Sequence, residues 1–334
     1  MAARSLHRSM AGALLCTCAL LSACAGGQNW GDAAVENPFA TVDYNAGDVP
    51  IIYDCNTIDI LFVIDNSETM FQEQQALGVA FGALIQAIES LDPPLATYRI
   101  GVISTDVGAG PYTFGGTSTC HEGGDEGLLQ HTPRGEGCPA SLPLFLQAPS
   151  GDLERDFACI ASLGLTGCGF EQPMESALKA LTEQPGNDGF LRFNAPLAII
   201  FISDEDDCSA ADTGLFDPTD LTLGTLKTRC VAHKELLHPI SRYVSAFKAL
   251  RSPEHLVVAA VTGPPGKVQI DEDRFAGQVP ICTSNEFGEA AAGNRFNELV
   301  SAFGVMGKHV SICEGNFAAA MDKISLAIRR ICLL

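Results

Sequence analysis

The stretch DILFVIDNSETM, Asp59 to Met70, decides the reading of the whole chain. Ile60–Ile64 are five consecutive apolar residues, the composition of a short strand buried on both faces. They run directly into Asp65-Asn66-Ser67-Glu68-Thr69, where every side chain carries oxygen. A core strand ending in such a cluster delivers polar chemistry to the rim of a sheet. Helix capping is the simpler use of the same residues, since Asp, Asn and Ser are favoured at N-caps.

Working outward, apolar runs alternate with helical patterns. After the strand Ile58–Ile64, Thr69–Leu91 places Met70, Leu77, Phe81, Leu84, Ile85 and Ile88 at helix spacing and stops before Pro93-Pro94. Further strands are expected at Tyr98–Thr105, Leu142–Ala148 (an edge strand), Leu197–Ser203, His255–Gly263 and Lys308–Cys313. Helices are expected near Leu153–Leu163, Glu171–Glu183, Leu221–His233, Ile240–Ala249, Ala290–Phe303 and Asn316–Ile331. Apolar strands separated by helices predict an α/β fold, a three-layer, doubly wound, mostly parallel sheet covered on both faces. In such sheets ligands bind beyond the carboxyl ends of the strands. Residues 108–139, rich in Gly, Thr and charge, read as an inserted loop. Neither an internal repeat nor a phosphate loop is present; GPPGK lacks the required ending and spacing.

The N-terminus, MAARSLHRSMAGALLCTCALLSAC, has Arg4 and Arg8, an apolar run and then small residues, the pattern of a secretory signal. Leu21-Ser22-Ala23-Cys24 resembles the bacterial lipobox, which implies cleavage after residue 23 and lipidation of Cys24. Residues 24–56 then read as a tether and 57–334 as the folded domain. No later run is apolar for the ~20 residues of a membrane helix, so acyl chains alone are expected to hold the protein to a membrane. Ala25 after the lipidated cysteine resembles outer-membrane sorting, with the domain facing the periplasm or the cell surface.

Ten cysteines follow Cys24, an even number in an exported chain, and they read as disulfides. Nearest-neighbour pairing gives Cys120–Cys138, Cys159–Cys168, Cys208–Cys230 and Cys282–Cys313, with Cys55–Cys332 tying the ends. Without a CxxC pair, zinc is not indicated. The net charge is −20, and losing Arg4 and Arg8 with the signal leaves −22. Such a surface repels nucleic acid and anionic lipid.

Three strand ends carry oxygens: Asp65–Thr69; Ser203-Asp204-Glu205-Asp206-Asp207-Cys208-Ser209; and, between them, the turn around Thr166. A carboxylate and two hydroxyls at i, i+2 and i+4 can face one hard cation while leaving much of its charge uncompensated. Asp65-x-Ser67-x-Thr69 after a strand resembles the metal-ion-dependent adhesion site of von Willebrand factor A (VWA) domains, with Thr in place of the last Ser. The segments FVIDNS, YRIGVISTD, GCGFEQPMESAL and SDEDDCS are most similar to cysteine-rich bacterial VWA lipoproteins.

The resemblance covers the chain from about Thr57. It implies a Rossmann-like VWA fold and Mg²⁺ (or Mn²⁺) held by Asp65, Ser67, Thr69, Thr166 and Asp204, with Thr105 as the alternative to Thr166. It also implies a protein or peptide ligand whose carboxylate completes the cation. Asp206 or Asp207 could hold a second ion, Ca²⁺, although a solvated acidic turn is the plainer reading. Two features depart from the family pattern: Glu68 inside the first motif and the 108–139 insertion beside the rim. A structural envelope lipoprotein, with metal and disulfides serving stability alone, is the alternative function. No Ser-His-Asp or Cys-His arrangement indicates an enzyme. His121, His131, His233, His238, His255 and His309 read as surface or structural residues.

Overall fold

The computed structural model describes residues 51–90, 95–114, 120–149, 151–274, 277–284, 288–314 and 317–331. The signal, Cys24, most of the tether and Cys332 lie outside the described residues. The packed unit begins at Ile51, six residues earlier than the sequence suggests. Tyr53 stacks on His255, with ring centroids 3.8 Å apart, and the Asp54 amide donates to the Asn194 carbonyl.

In chain order the elements are β1 (Thr57–Ile64), α1 (Phe71–Glu89), β2 (Thr97–Ser104), β3 (Leu146–Ala148), α2 (Leu153–Ala161) and α3 (Pro173–Thr182). Then come β4 (Leu197–Ile202), α4 (Arg229–Ala232), α5 (Ile240–Leu250), β5 (Leu256–Thr262), β6 (Cys282–Ser284), β7 (Gly288–Ala290), α6 (Asn294–Ser301), β8 (Gly307–Ser311) and α7 (Phe317–Ile328). Six strands form one sheet in the order β3-β2-β1-β4-β5-β8, parallel except for the edge strand β3. This is a three-layer, Rossmann-like α/β architecture.

The period of two along β1 divides the core. Ile58, Ile60, Phe62 and Ile64 pack on the face that meets α1, α2 and α7, and Leu61 and Val63 on the face that meets α3, α5 and α6. Because the β1 run is buried on both sides, every residue of Ile60–Ile64 is fully enclosed. The chain winds from β1 toward β3 on one side and from β4 toward β8 on the other. The order therefore reverses between β1 and β4, and a crevice at that rim is the expected ligand site.

Three differences from the sequence reading have physical causes. The first concerns the cysteines: Cys120 is bonded to Cys168 and Cys138 to Cys159, in place of the expected Cys120–Cys138 and Cys159–Cys168. The insertion leaves β2 at the rim, where Asp106 accepts from the Cys168 amide. It then runs back past β2 to α2, where the Arg134 amide donates to the Cys159 carbonyl. Its two cysteines thus meet different elements. Cys208–Cys230 and Cys282–Cys313 pair as expected, and Cys55 is disulfide-bonded.

The second is the helix expected over Leu221–His233. It is two short 3₁₀ turns and the single turn α4. Arg229, 1% exposed, explains this. Its guanidinium donates to the carbonyls of Leu215, Asp217, Asp220 and Gly224 at 2.5–3.1 Å, so the chain from Leu215 to Gly224 curls around this side chain. Replacing Arg229 by Met strands these carbonyls, and we expect a loss of about 2–3 kcal/mol in urea unfolding. An unchanged midpoint would refute this account of the segment.

The third is the β6–β7 pair, whose strands of three residues are too short to leave a periodic signal. Above the rim, Ala109, Cys120, Cys168, Phe170, Cys208, Leu215, Phe216 and Leu237 form a small accessory core, pinned by Cys120–Cys168 and Cys208–Cys230.

Candidate metal centre

Register brings the two halves of the centre together. Ile64 lies opposite Ile202, so Asp65 and Ser203 leave adjacent strands side by side. The Asp65 amide donates to the Ile202 carbonyl at 3.0 Å, and the Ser203 hydroxyl donates to Asp65 Oδ2 at 2.6 Å. The sharp turn aims Asp65 Oδ1 back at the Ser67 amide, 2.7 Å away. Ser67 Oγ and Thr69 Oγ1 are 3.2 Å apart, and Thr69 hydrogen-bonds Asp204. Asp65, Ser67, Thr69 and Asp204 therefore form one connected chain of oxygens. Neither Ser67 nor Asp65 uses its side chain to cap α1.

Thr166 stands differently. Its loop is fastened to the first motif: Gln74 Nε2 donates to the carbonyls of Asp65 and Gly164, and the Gly167 amide donates to the Asn66 carbonyl. A Cβ on Gly167 would overlap the Asn66 side chain, so glycine lets the loop approach without displacing it. Thr166 itself is exposed. Thr105 is fully buried and donates to Glu171 Oε2, and Glu171 in turn hydrogen-bonds Asp65. The hydroxyl at the end of β2 thus reaches the carboxylates through Glu171. Glu68 is exposed, unlike its buried neighbour Ser67.

Three carboxylates that the sequence reading did not assign complete the cluster: Glu73, Glu171 and Glu205. Glu73 is four residues past Thr69, on the inward face of the first helical turns, where an acid otherwise belongs outside. Glu171 lies two residues before the Pro173 that opens α3. Burial raises the Asp65 pKa against hydrogen bonds from Ser203 and Ser67. Burial, with the Asp65 charge second, lifts Glu171 and Asp204 well above the usual carboxylate range. The same two causes push Glu205 up to about 8 and Glu73 up to about 7. Among the described residues, no basic side chain forms an ion pair with any of these five.

The cluster also has unmet acceptors. Asn66 Oδ1, Glu73 Oε2, Glu171 Oε1 and Asp204 Oδ1 are buried without a hydrogen-bond partner; the fifth such atom among the described residues is Arg134 Nη1. Buried acceptors left bare cost about 1–3 kcal/mol each, and three of these four belong to carboxylates of the cluster, which leaves the rim short of donors. No three His, Cys, Asp or Glu side chains converge as a ready metal cage among the described residues. A cation here would have to take part of its shell from hydroxyls and water, as Mg²⁺ characteristically does.

Asp206 and Asp207 are otherwise engaged. Asp206 accepts from the Arg295 amide, and Asp207 pairs with the Arg295 guanidinium at 2.9 Å while accepting from the Met174 amide and Ser209. A second cation there would have to displace Arg295.

A cavity of about 380 Å³ opens onto the centre. Thr69, Asp204 and Glu205, beyond the ends of β1 and β4, line it together with a wall of Asp273, Arg274, Gln278, Pro280 and Glu289–Ala291. That wall belongs to the segment between β5 and α6, and no described residue of the 108–139 insertion lines the cavity. The Ala291 amide donates to the Asp204 carbonyl at 2.7 Å, and the Ala291 carbonyl approaches so close to Gly263 that a Cβ there would overlap it.

No family model matches the chain, and no curated protein matches it either. Among solved structures, BatB, a conserved hypothetical protein from Bacteroides thetaiotaomicron, is 13% identical. The match covers 83% of this chain and 100% of that one, with a TM-score of 0.35. An aerotolerance-related membrane protein from Bacteroides fragilis is 15% identical over 82% and 99% of the two chains, at 0.34. SpaC, a pilus adhesin from Lactobacillus rhamnosus GG, is 10% identical over 82% and 30%, at 0.39. Scores this low carry no argument about function. The class that fold and site define is a three-layer α/β domain with an acidic, hydroxyl-rich centre at its switch point. No helix among the described residues is long and apolar enough to cross a membrane.

Proposed function

We propose that the protein is a VWA-type binding domain of the bacterial cell envelope, anchored by lipid at Cys24. In this reading it takes a protein or peptide ligand through Mg²⁺ or Mn²⁺. Asp65, Ser67, Thr69 and Asp204 hold the cation, with a further oxygen from Thr166 or from Thr105 acting through Glu171. The cation supplies an open coordination position that an outside carboxylate fills. The observation that carries the reading is the set of mutually interacting buried carboxylates, Asp65, Glu73, Glu171, Asp204 and Glu205, three of them with a bare oxygen, unaccompanied by any basic partner among the described residues.

In this reading the site offers charge neutralisation and an open position. Ser67 bonds to Asp65 and Thr69, and His309 lies against Thr262.

The test is capture from an envelope extract on immobilised protein. A partner retained in Mg²⁺, released by chelator and absent from an Asp65→Ala column supports the reading. Retention that ignores both chelator and substitution refutes it.

A further inference from the structure

The chain enters the folded unit at the pole opposite the metal centre. Asp65, Ser67 and Thr69 follow the carboxyl end of β1, whereas Ile51 to Asn56 precede its amino end. β1 is eight residues long, so at ~3.3 Å per residue about 26 Å separate the two poles. The entering segment is fastened in place. The Asp54 amide donates to the Asn194 carbonyl, and the Tyr53 hydroxyl accepts from the Ser252 amide at 3.2 Å while its ring stacks on His255.

These contacts bring exposed apolar side chains together. Ile52, two residues before Asp54, is 82% exposed, and Phe193, the residue before Asn194, is 76% exposed; Ile51 adds a third at 43%. One such residue alone is ordinary on a protein surface. A group of them on two joined segments, where the chain passes toward its lipidation signal, calls for an occupant. Basic groups accompany the acids at this pole, as they do not in the carboxylate cluster of the rim. Buried Asp59 is paired with Arg192, Arg99 lies near both, and Arg251 donates to the Arg192 carbonyl. Mixed charge of this kind suits a zwitterionic headgroup layer, which offers both signs.

The length of the chain before Ile51 names the occupant. With acyl chains at Cys24 seated in a bilayer, the 27 residues from Cys24 to Pro50 hold Ile51 within about 95 Å of it, even fully extended. Three apolar side chains are too few to hold a free protein on a membrane. A covalent anchor makes their contact intramolecular, and a weak contact then suffices.

We infer that Ile51, Ile52 and Phe193 form a membrane-docking patch, which seats the amino pole of the domain on a zwitterionic bilayer and turns the metal rim away from it. This rests on the lipid anchor proposed above and adds an orientation to it: the cavity faces a partner outside the membrane.

The full chain, as matured by a bacterial host, tests it in vesicles of phosphatidylcholine and phosphatidylethanolamine, with or without bromine on the acyl chains. Trp30→Phe removes the one native tryptophan. In that background Phe193→Trp places a fluorophore in the patch. Leu221→Trp places one at an 83% exposed position in the segment wrapped around Arg229, beyond the rim. Brominated lipid is expected to quench most of the Phe193→Trp emission and to leave that of Leu221→Trp unchanged. Adding Ile51→Ser and Ile52→Ser to Phe193→Trp is expected to remove much of the quenching.

Equal quenching of the two tryptophan variants, or none of either, would overturn the inference, as would quenching that survives loss of both isoleucines. Blue-shifted, unquenched emission from Phe193→Trp would also overturn it, by showing the patch covered by this chain's own N-terminal residues or by a second copy. If the chain does not float with the vesicles, the anchor at Cys24 has failed, and this inference falls with it.

Discussion

Asp204→Asn is expected to leave the chelated protein at least as stable as the wild type while abolishing its response to Mg²⁺. Most substitutions of a buried polar residue destabilise. Here the native carboxylate is enclosed, bare at Oδ1, and surrounded by Asp65, Glu205 and Glu73. An amide keeps the shape and removes the charge. With a cation bound, the balance reverses, because the carboxylate becomes a ligand. At a concentration a hundredfold above its Kd, Mg²⁺ stabilises by about 2.7 kcal/mol, which for a domain of this size is roughly 5–10 °C in Tm. Differential scanning fluorimetry with and without chelator reads both effects. A variant that melts well below the chelated wild type, or that still gains from Mg²⁺, contradicts the role given to Asp204.

The second large effect is the pH dependence of the chelated protein. Glu73 and Glu205 have folded pKa values of about 7 and about 8, raised first by burial and then by the Asp65 charge, against about 4.5 unfolded. Between these limits the folded state binds more protons than the unfolded chain, so stability falls as pH rises. The contribution is fully present below about pH 4.5 and is lost as pH passes through 7 and 8. Glu73 alone accounts for about 3 kcal/mol of that loss. We expect the chelated protein to be markedly more stable in urea at pH 5.5 than at pH 8, and saturating Mg²⁺ to flatten the difference. A chelated protein that gains stability from pH 5.5 to pH 8 would show that the acidic centre is compensated in some other way.

Much of this was legible in the sequence, for definable reasons. Ile60–Ile64 and Leu197–Ile202 announce central strands because burial on both faces leaves no room for polar residues. That Asp65, Ser67, Thr69 and Asp204 come together was legible because each lies within five residues of the end of such a strand, and register then does the rest. Glu73 and Glu171 are not: an acid on a helix or beside a proline is usually solvated, and only tertiary packing turns it inward. Arg229 hides for a related reason, since its partners are carbonyls, which carry no sequence signal. The cysteine pairs fail where chain neighbours are not spatial neighbours: the insertion carries Cys120 and Cys138 to two separate elements. The cavity's wall was unreadable because it depends on two three-residue strands and on a close backbone approach at Gly263.

The apolar half of the stretch from Asp59 to Met70 is a central strand, and Thr69 of its polar half lines the cavity at the rim. Glu68 is exposed, so the groups that shape access are Glu205, Asp273, Arg274 and Glu289. The central claim is that Asp65 anchors a divalent cation. Calorimetric titration of Mg²⁺ into chelated wild-type protein and into Asp65→Ala measures it directly. A single saturable site in the wild type that vanishes in the variant is the predicted result. Equal heats from the two proteins would contradict it.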